Sequence, residues 1–259
     1  MITSRSNELI KYIKGLHLKK NRDDNGEYIV EGVKMVREAI LTNIAITKIM
    51  ICEELLKEDF EIPQNIAVEF VSAPVFEYIS DTKTPQGILA IVKKKNFSGT
   101  QKGENESIYG EIIFALDTVQ DPGNLGTIIR TLDCAGINTL LLSEGCADEY
   151  NLKVIRSTMG AIFRVNIFDG LDLESELKKL QENGYEVVVT ALDADAGLFE
   201  YSFPKKCVIV IGNESNGVSS EIQKLANVKI KIPMVGKTES LNAGVAASLM
   251  AYEVLRKTF

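Results

Sequence analysis

The 259-residue sequence predicts an α/β protein in two parts: a small amino-terminal α/β unit and a larger carboxyl-terminal unit built on a parallel sheet. Three observations point there. The runs Ile112–Leu116, Thr139–Leu142, Val187–Thr190 and Val208–Ile211 are near-continuously apolar, as strands buried on both faces are. Helical segments separate them, the alternation that yields parallel strands with helices on both sides. Residues 93–110, KKKNFSGTQKGENESIYG, are polar and lack any apolar period, which marks a linker. The expected division is a first domain over 1–95, a linker over 96–110 and a second domain over 111–259.

In the first part, Leu9, Ile10, Ile13 and Leu16 fall at helical spacing, Tyr28-Ile29-Val30 reads as a strand, and a helix is predicted over 33–41. The pattern then predicts a strand over 46–52, a helix over 53–60 and a strand over 68–71. Pro74 stands where a first helical turn would start, and 87–92 reads as a closing strand. In the second part, helices are predicted over 125–135, 149–159, 173–183, 219–226 and 241–257. Gly136 and Gly184 stand just past two of them, and Ser240 is placed to cap the last.

Composition narrows the chemistry. A chain of this length with 45% hydrophobic residues can bury a substantial core. No apolar run approaches the roughly 20 residues of a membrane span. Met1-Ile2-Thr3-Ser4-Arg5-Ser6 passes straight into an amphipathic pattern, so a cytoplasmic placement is expected. The four cysteines are scattered without a CxxC pair and read as buried free thiols. With His17 the one histidine, a His-based triad or a two-His metal site has nothing to build on, and no metal is expected.

The formal charge of −7 speaks against a nucleic-acid binder, but its distribution softens that objection. Residues 1–22 carry Arg5, Lys11, Lys14, Lys19, Lys20 and Arg22 against Glu8 alone, a local +5 that leaves −12 for the rest. Such a basic end can meet phosphate, or can be an ordinary solvated face.

Three segments of the second part, each following a strand, are rich in Gly, Asn and Ser, and open parallel sheets bind ligands at the strands' carboxyl ends. The first runs from Asp117 to Thr131. Its Leu125, Ile128, Ile129 and Leu132 take the core face, which turns Asn124, Thr127, Arg130 and Thr131 elsewhere and frees Arg130 for an anion. The second, Ile211-Gly212-Asn213-Glu214-Ser215-Asn216-Gly217-Val218, is neither a Walker loop nor a GxGxxG turn. The third, from Ile232 to Ser248, leads into a helix faced with small residues.

Together these segments resemble the SpoU (TrmH-type) branch of the SPOUT RNA methyltransferases. The resemblance is carried by Asn124-x-Gly126-x-x-x-Arg130, by Ile211-Gly212-Asn213-Glu214-Ser215-x-Gly217, and by Ile232-Pro233-Met234 with Ser240-Leu241-Asn242. Ser157-Thr158-Met159-Gly160-Ala161-Ile162-Phe163-Arg164 is also similar to the family. The stretch Tyr28-Ile29-Val30-Glu31-Gly32-Val33-Lys34 looks like the L30e-like substrate-binding domain of longer members, which tilts the expected substrate toward ribosomal RNA.

The resemblance implies a deep trefoil knot, a homodimer, and S-adenosylmethionine-dependent methylation of a ribose 2′-hydroxyl in structured RNA. Ala191, Gly212, Asn213, Gly217, Ile232, Met234 and Leu241 would hold the cofactor. Arg130 is the implied catalytic residue, with Asn124, Glu214, Ser240 and Asn242 ordering the site. The resemblance implies a base toward the ribose hydroxyl; because arginine's pKa exceeds about 12, orientation of phosphate and stabilisation of developing oxyanion are expected of Arg130 at least in part. Arg5, Lys19, Lys20, Arg22, Arg156 and Arg164 are the candidate RNA contacts.

Other readings remain open at this stage. They are a non-catalytic ribosome-assembly factor, a peptide-antibiotic resistance enzyme of the same fold, a transfer-RNA methyltransferase, and a nucleotide-binding enzyme acting on small molecules.

Overall fold

Contacts divide the chain of the computed structural model, which describes residues 1–95, 109–194 and 196–258, into two units. One comprises Met1–Asn96 with Asp148–Phe163, the other Phe97–Ala147 with Arg164–Phe259. The expected partition at 96–110 therefore differs in one respect: residues 148–163 leave the second stretch of sequence and pack with the first unit. Most of the expected linker, 96–108, lies outside the described residues.

The first unit holds α1 (Glu8–Gly15), α2 (Lys19–Asn25), β1 (Glu27–Glu31), α3 (Val33–Leu41), β2 (Ile46–Ile51), β3 (Val68–Phe70), α4 (Ala73–Ile79) and β4 (Ile88–Lys93). Its sheet runs β1-β4-β2-β3, with β4 antiparallel to both its neighbours and β2 parallel to β3. The Asn7 side chain caps α1 by accepting from the Leu9 N–H at 2.9 Å. That helix turns Ile10, Ile13 and Leu16 onto Ile29, Met50, Phe76, Ile79 and Leu89, a fully buried apolar core.

One local expectation fails here, and one element forms that the pattern did not signal, each for a physical reason. Residues 53–60 form a single turn, in which the N–H groups of Leu55 and Leu56 both donate to the Cys52 carbonyl. With Leu55-Leu56 as its main apolar pair, a longer helix had no face to bury. Conversely α2, KKNRDDN, carries no apolar period and still forms. Its anchor is Arg22, 2% exposed, whose guanidinium donates at 2.8 Å to each of the Leu16 and His17 carbonyls and pairs with the Asp148 carboxylate. Arg22 is thus a structural ion in a buried pair, and the expectation that it grips RNA is corrected.

The second unit contributes β5 (Ile112–Leu116), α5 (Pro122–Cys134) and β6 (Thr139–Ser143). After α6 (Leu152–Thr158), which sits in the first unit, come β7 (Asn166–Leu171), α7 (Leu173–Glu182), β8 (Glu186–Thr190) and β9 (Ala196–Gly197). Next follow β10 (Cys207–Ile211), α8 (Ser220–Lys224), β11 (Val228–Lys231) and α9 (Ala243–Thr258). The seven strands are all parallel, in the order β7-β6-β5-β10-β8-β11-β9. The apolar runs noted in the sequence are its centre, buried beneath α7 and α8 through Leu173, Leu177, Leu180 and Ile222.

The register places the site. Ile211 pairs with Leu116 and Val210 with Val189, so β5, β10 and β8 end side by side and the loops after them emerge at one edge. The thiols divide otherwise than expected: Cys52 and Cys207 are buried, Cys146 is partly so, and Cys134, at the end of α5, is exposed. Among the described residues no helix is long and apolar enough to cross a membrane.

Candidate active site

The loop after β10 is held from both sides. The Asn213 amide donates to the Thr118 carbonyl at 2.8 Å, while its oxygen accepts from the N–H groups of Ser215 and Asn216. Asn213 and Gly217 exchange backbone hydrogen bonds at 2.9 Å, folding the loop back on itself. The fold-back requires the glycines. A Cβ on Gly212 would lie 2.1 Å from the Gly217 carbonyl carbon, and Gly217 has φ +69°. The Asp117 carboxylate, at the end of β5, secures the far side by accepting from the Ser219 N–H at 2.7 Å.

A second set of bonds ties three sequence segments together. Asp121 caps α5, accepting from the Asn124 N–H at 2.8 Å. Asn124, which the helical pattern turned away from the core, is only 8% exposed. Its amide nitrogen donates to Glu214 Oε1 at 2.8 Å and its oxygen accepts from the Asn242 amide at 2.8 Å. Burial alone would raise the Glu214 pKa, but this bond and those from backbone N–H groups outweigh it and hold the carboxylate below its usual range. Asn242 also caps α9, accepting from the N–H groups of Gly244 and Val245 at 3.0 and 3.2 Å. The expected cap, Ser240, instead stays in the preceding loop, because the helix starts two residues later than the apolar pattern suggested.

The loops after β8, β10 and β11, with the start of α9, line a cavity of about 520 Å³, within the size range of small-ligand sites. Ala191, Gly212, Asn213, Gly217, Ile232, Met234 and Leu241 all line it, as do Glu214 and Ser240. Asn124 and Asn242 are not part of the lining. Arg130 is exposed on α5, outside the lining, and its guanidinium enters no ion pair or side-chain hydrogen bond with the described residues. It lies six residues past Asn124, about 9 Å along the helix axis. Sequence reasoning missed Thr190, Leu192, Asp193, Gln223, Ile230 and Glu239, which also face the cavity. Thr190, Leu192 and Asp193 had a positional signal, standing at or just past the end of β8 as the chosen loops follow β5 and β10, and Glu239 stood within the third segment without being singled out.

The remaining basic residues are scattered. Lys19 and Lys20 are exposed, and the Arg5 guanidinium sits 5.1 Å from the centre of the Tyr78 ring. Arg156 pairs with Asp81 at 2.8 Å in the first unit, and Arg164 forks onto Asp133 at 2.8–2.9 Å in the second. A phosphate reaching either arginine must compete with a carboxylate.

Residues 111–252 match the SpoU rRNA Methylase family. The chain belongs to this family. Residues 7–90 match the MRM3-like substrate binding domain. A relative among curated proteins, the 23S rRNA (guanosine(2553)-2′-O)-methyltransferase RlmP of Bacillus subtilis, is 33% identical over 257 residues, covering 98% of each chain. An AdoMet-bound rRNA methyltransferase from Sinorhizobium meliloti superposes with a TM-score of 0.84 at 28% identity, covering 100% of this chain and 98% of that one. An RNA 2′-O ribose methyltransferase superposes with a TM-score of 0.81 at 27% identity, covering 99% and 98%. As a SpoU methylase the chain is an RNA methyltransferase of the ribose 2′-O class that uses S-adenosylmethionine.

The cavity suits that cofactor. Ile211, Ile230, Ile232, Met234 and Val218 give its lining an apolar part, the folded-back glycine loop brings backbone to it, and the acidic residues Asp193, Glu214 and Glu239 suit a cationic ligand.

Proposed function

We propose that this SpoU methylase modifies one ribose 2′-hydroxyl of large-subunit ribosomal RNA of the 23S type. The observation that carries the proposal is a cavity lined by the second and third motif loops, to which Asn124 of the first is hydrogen-bonded through Glu214 and Asn242, with Arg130 exposed on the same helix and in no ion pair among the described residues. The target class is supported by RlmP, similar over nearly its whole length, and by the substrate-binding domain match at 7–90.

When bound, S-adenosylmethionine supplies an electrophilic sulfonium methyl. Ala191, Gly212, Asn213, Gly217, Ile232, Met234 and Leu241 would hold it, chiefly through backbone and apolar contacts. The protein's remaining task is to position the ribose oxygen for in-line attack. Arg130, exposed and in no ion pair among the described residues, would clamp the RNA phosphate beside the target ribose and stabilise negative charge developing on its oxygen. Glu214, Asn124 and Asn242 act on the site by fixing the loops that carry it, and Ser240 stands at its mouth. RNA contacts outside the cavity fall to Arg5, Lys19 and Lys20, with Arg156 and Arg164 recruited from their ion pairs.

A homodimer and the knotted threading of the family belong to the same reading. Val245, Leu249 and Tyr252 share one face of α9 and are 46%, 39% and 50% exposed, an apolar stripe that a second copy would cover. With ribosomal RNA as its substrate, the protein would act in the cytoplasm.

The test is transfer of radiolabelled methyl from S-adenosylmethionine by the purified protein to unmodified ribosomal RNA, with transfer RNA as competitor substrate. Incorporation into large-subunit RNA is expected. Incorporation into transfer RNA alone would refute the target, and sedimentation at the monomer mass would refute the dimer.

A further inference from the structure

The charge of the cavity wall is one-sided. Three acidic residues, Asp193, Glu214 and Glu239, line it, and no lysine, arginine or histidine is among the described residues that do. Lys237, two residues before Glu239 in the same loop, is not part of the wall. Methyl transfer changes the charge of the ligand such a wall sees. The sulfonium of S-adenosylmethionine carries one more positive charge than the thioether of S-adenosylhomocysteine. The methyl leaves sulfur for the ribose oxygen, the S–CH₃ electron pair stays on sulfur, and the hydroxyl proton is released to solvent. A negative wall therefore distinguishes substrate from product by Coulomb energy even where their shapes are nearly alike.

We propose that Asp193 and Glu239 are specificity-determining residues that bias this cavity toward the sulfonium cofactor and against its demethylated product, so that the product's hold weakens at the moment of transfer. The proposal rests on the reading of this cavity as the cofactor site. Glu214 adds to the same field, but its carboxylate is engaged by Asn124. Asp193 and Glu239 can lose their charge without breaking that network. Both are exposed, so water and salt screen them, and each is expected to shift the preference by about threefold.

Titration calorimetry with S-adenosylmethionine and S-adenosylhomocysteine tests this on the wild-type protein, Asp193→Asn, Glu239→Gln and the double variant. The ratio of product Kd to cofactor Kd is expected to fall about threefold in each single variant and about tenfold in the double, with cofactor affinity changing more than product affinity. In the wild type the ratio should also fall as ionic strength rises, a readout that needs no variant to fold. An unchanged ratio in the double variant, or a wild-type ratio indifferent to salt, overturns the inference and leaves the cofactor site standing. Failure of the wild type to bind either ligand overturns the cofactor reading itself, and the inference with it.

Discussion

Asn124 joins Glu214 and Asn242 through one amide, donating from Nδ2 to the carboxylate and accepting at Oδ1 from the second asparagine, each at 2.8 Å. The amide bridges the start of α5, the loop after β10 and the cap of α9, three segments spread over more than a hundred residues of sequence. Asn124→Ala should cost about 1–3 kcal/mol, because it strips a buried hydrogen-bond partner from both neighbours. Urea unfolding measures the loss, and cofactor affinity should fall with it.

The same bond sets a pH dependence. Glu214 is held below its usual 4.5, so its stabilising contribution is complete above that value and disappears as the pH falls through the lower folded-state value. Cofactor binding should therefore persist to below pH 4.5 in the wild type. In Asn124→Ala the acid limit should move upward, which a binding titration against pH detects.

Arg130→Ala is expected to lower methyl transfer by about 100-fold or more while cofactor affinity stays within about twofold. Arg130→Lys keeps the charge but loses the planar fork and should recover only part of the rate. The check is transfer kinetics beside calorimetry. Comparable losses in both would place Arg130 in cofactor binding instead.

Gly212→Ala should disable the loop after β10. The added Cβ meets backbone of Gly217 and Val218 at 2.1 Å, contacts that no side-chain rotation relieves. A loss of about 1–3 kcal/mol in stability is expected, along with the cofactor site, both read by thermal unfolding with and without ligand.

Much of this site was legible in the sequence because its logic is local. Continuous apolar runs gave the central strands, and Gly-Asn-Ser segments after them gave the loops. What escaped depends on distant partners. Strand β11, VKIK, alternates lysines with apolar residues and takes its place in the sheet because β8 and β9 flank it. Arg22 looks like any surface cation in a charged helix until Asp148, far along the chain, buries it. Asn124 falls on a polar face of the helical pattern, yet the folded chain covers that face with Glu214 and Asn242. Asp193 and Glu239 carry no motif, and only the meeting of their loops makes them neighbours of one cavity.

His17 offers a test of the first unit. Burial lowers its pKa, with Lys14 acting in the same direction, against the opposing hydrogen bond to the Ile79 carbonyl at 2.8 Å. A histidine that resists protonation when folded contributes fully above its unfolded value of 6.5, and that contribution is lost as the pH drops below it. The wild type should lose thermal stability between pH 6.5 and 5 relative to His17→Gln, and parallel curves would contradict the assignment.

The most direct measurement maps ribose methylation in large-subunit ribosomal RNA from cells lacking this gene and from the same cells complemented with wild type or Arg130→Ala. One alkali-resistant ribose is expected to appear with the wild type and not with Arg130→Ala. A map identical in all three strains, or a methyl found on a base instead of a ribose oxygen, would contradict it.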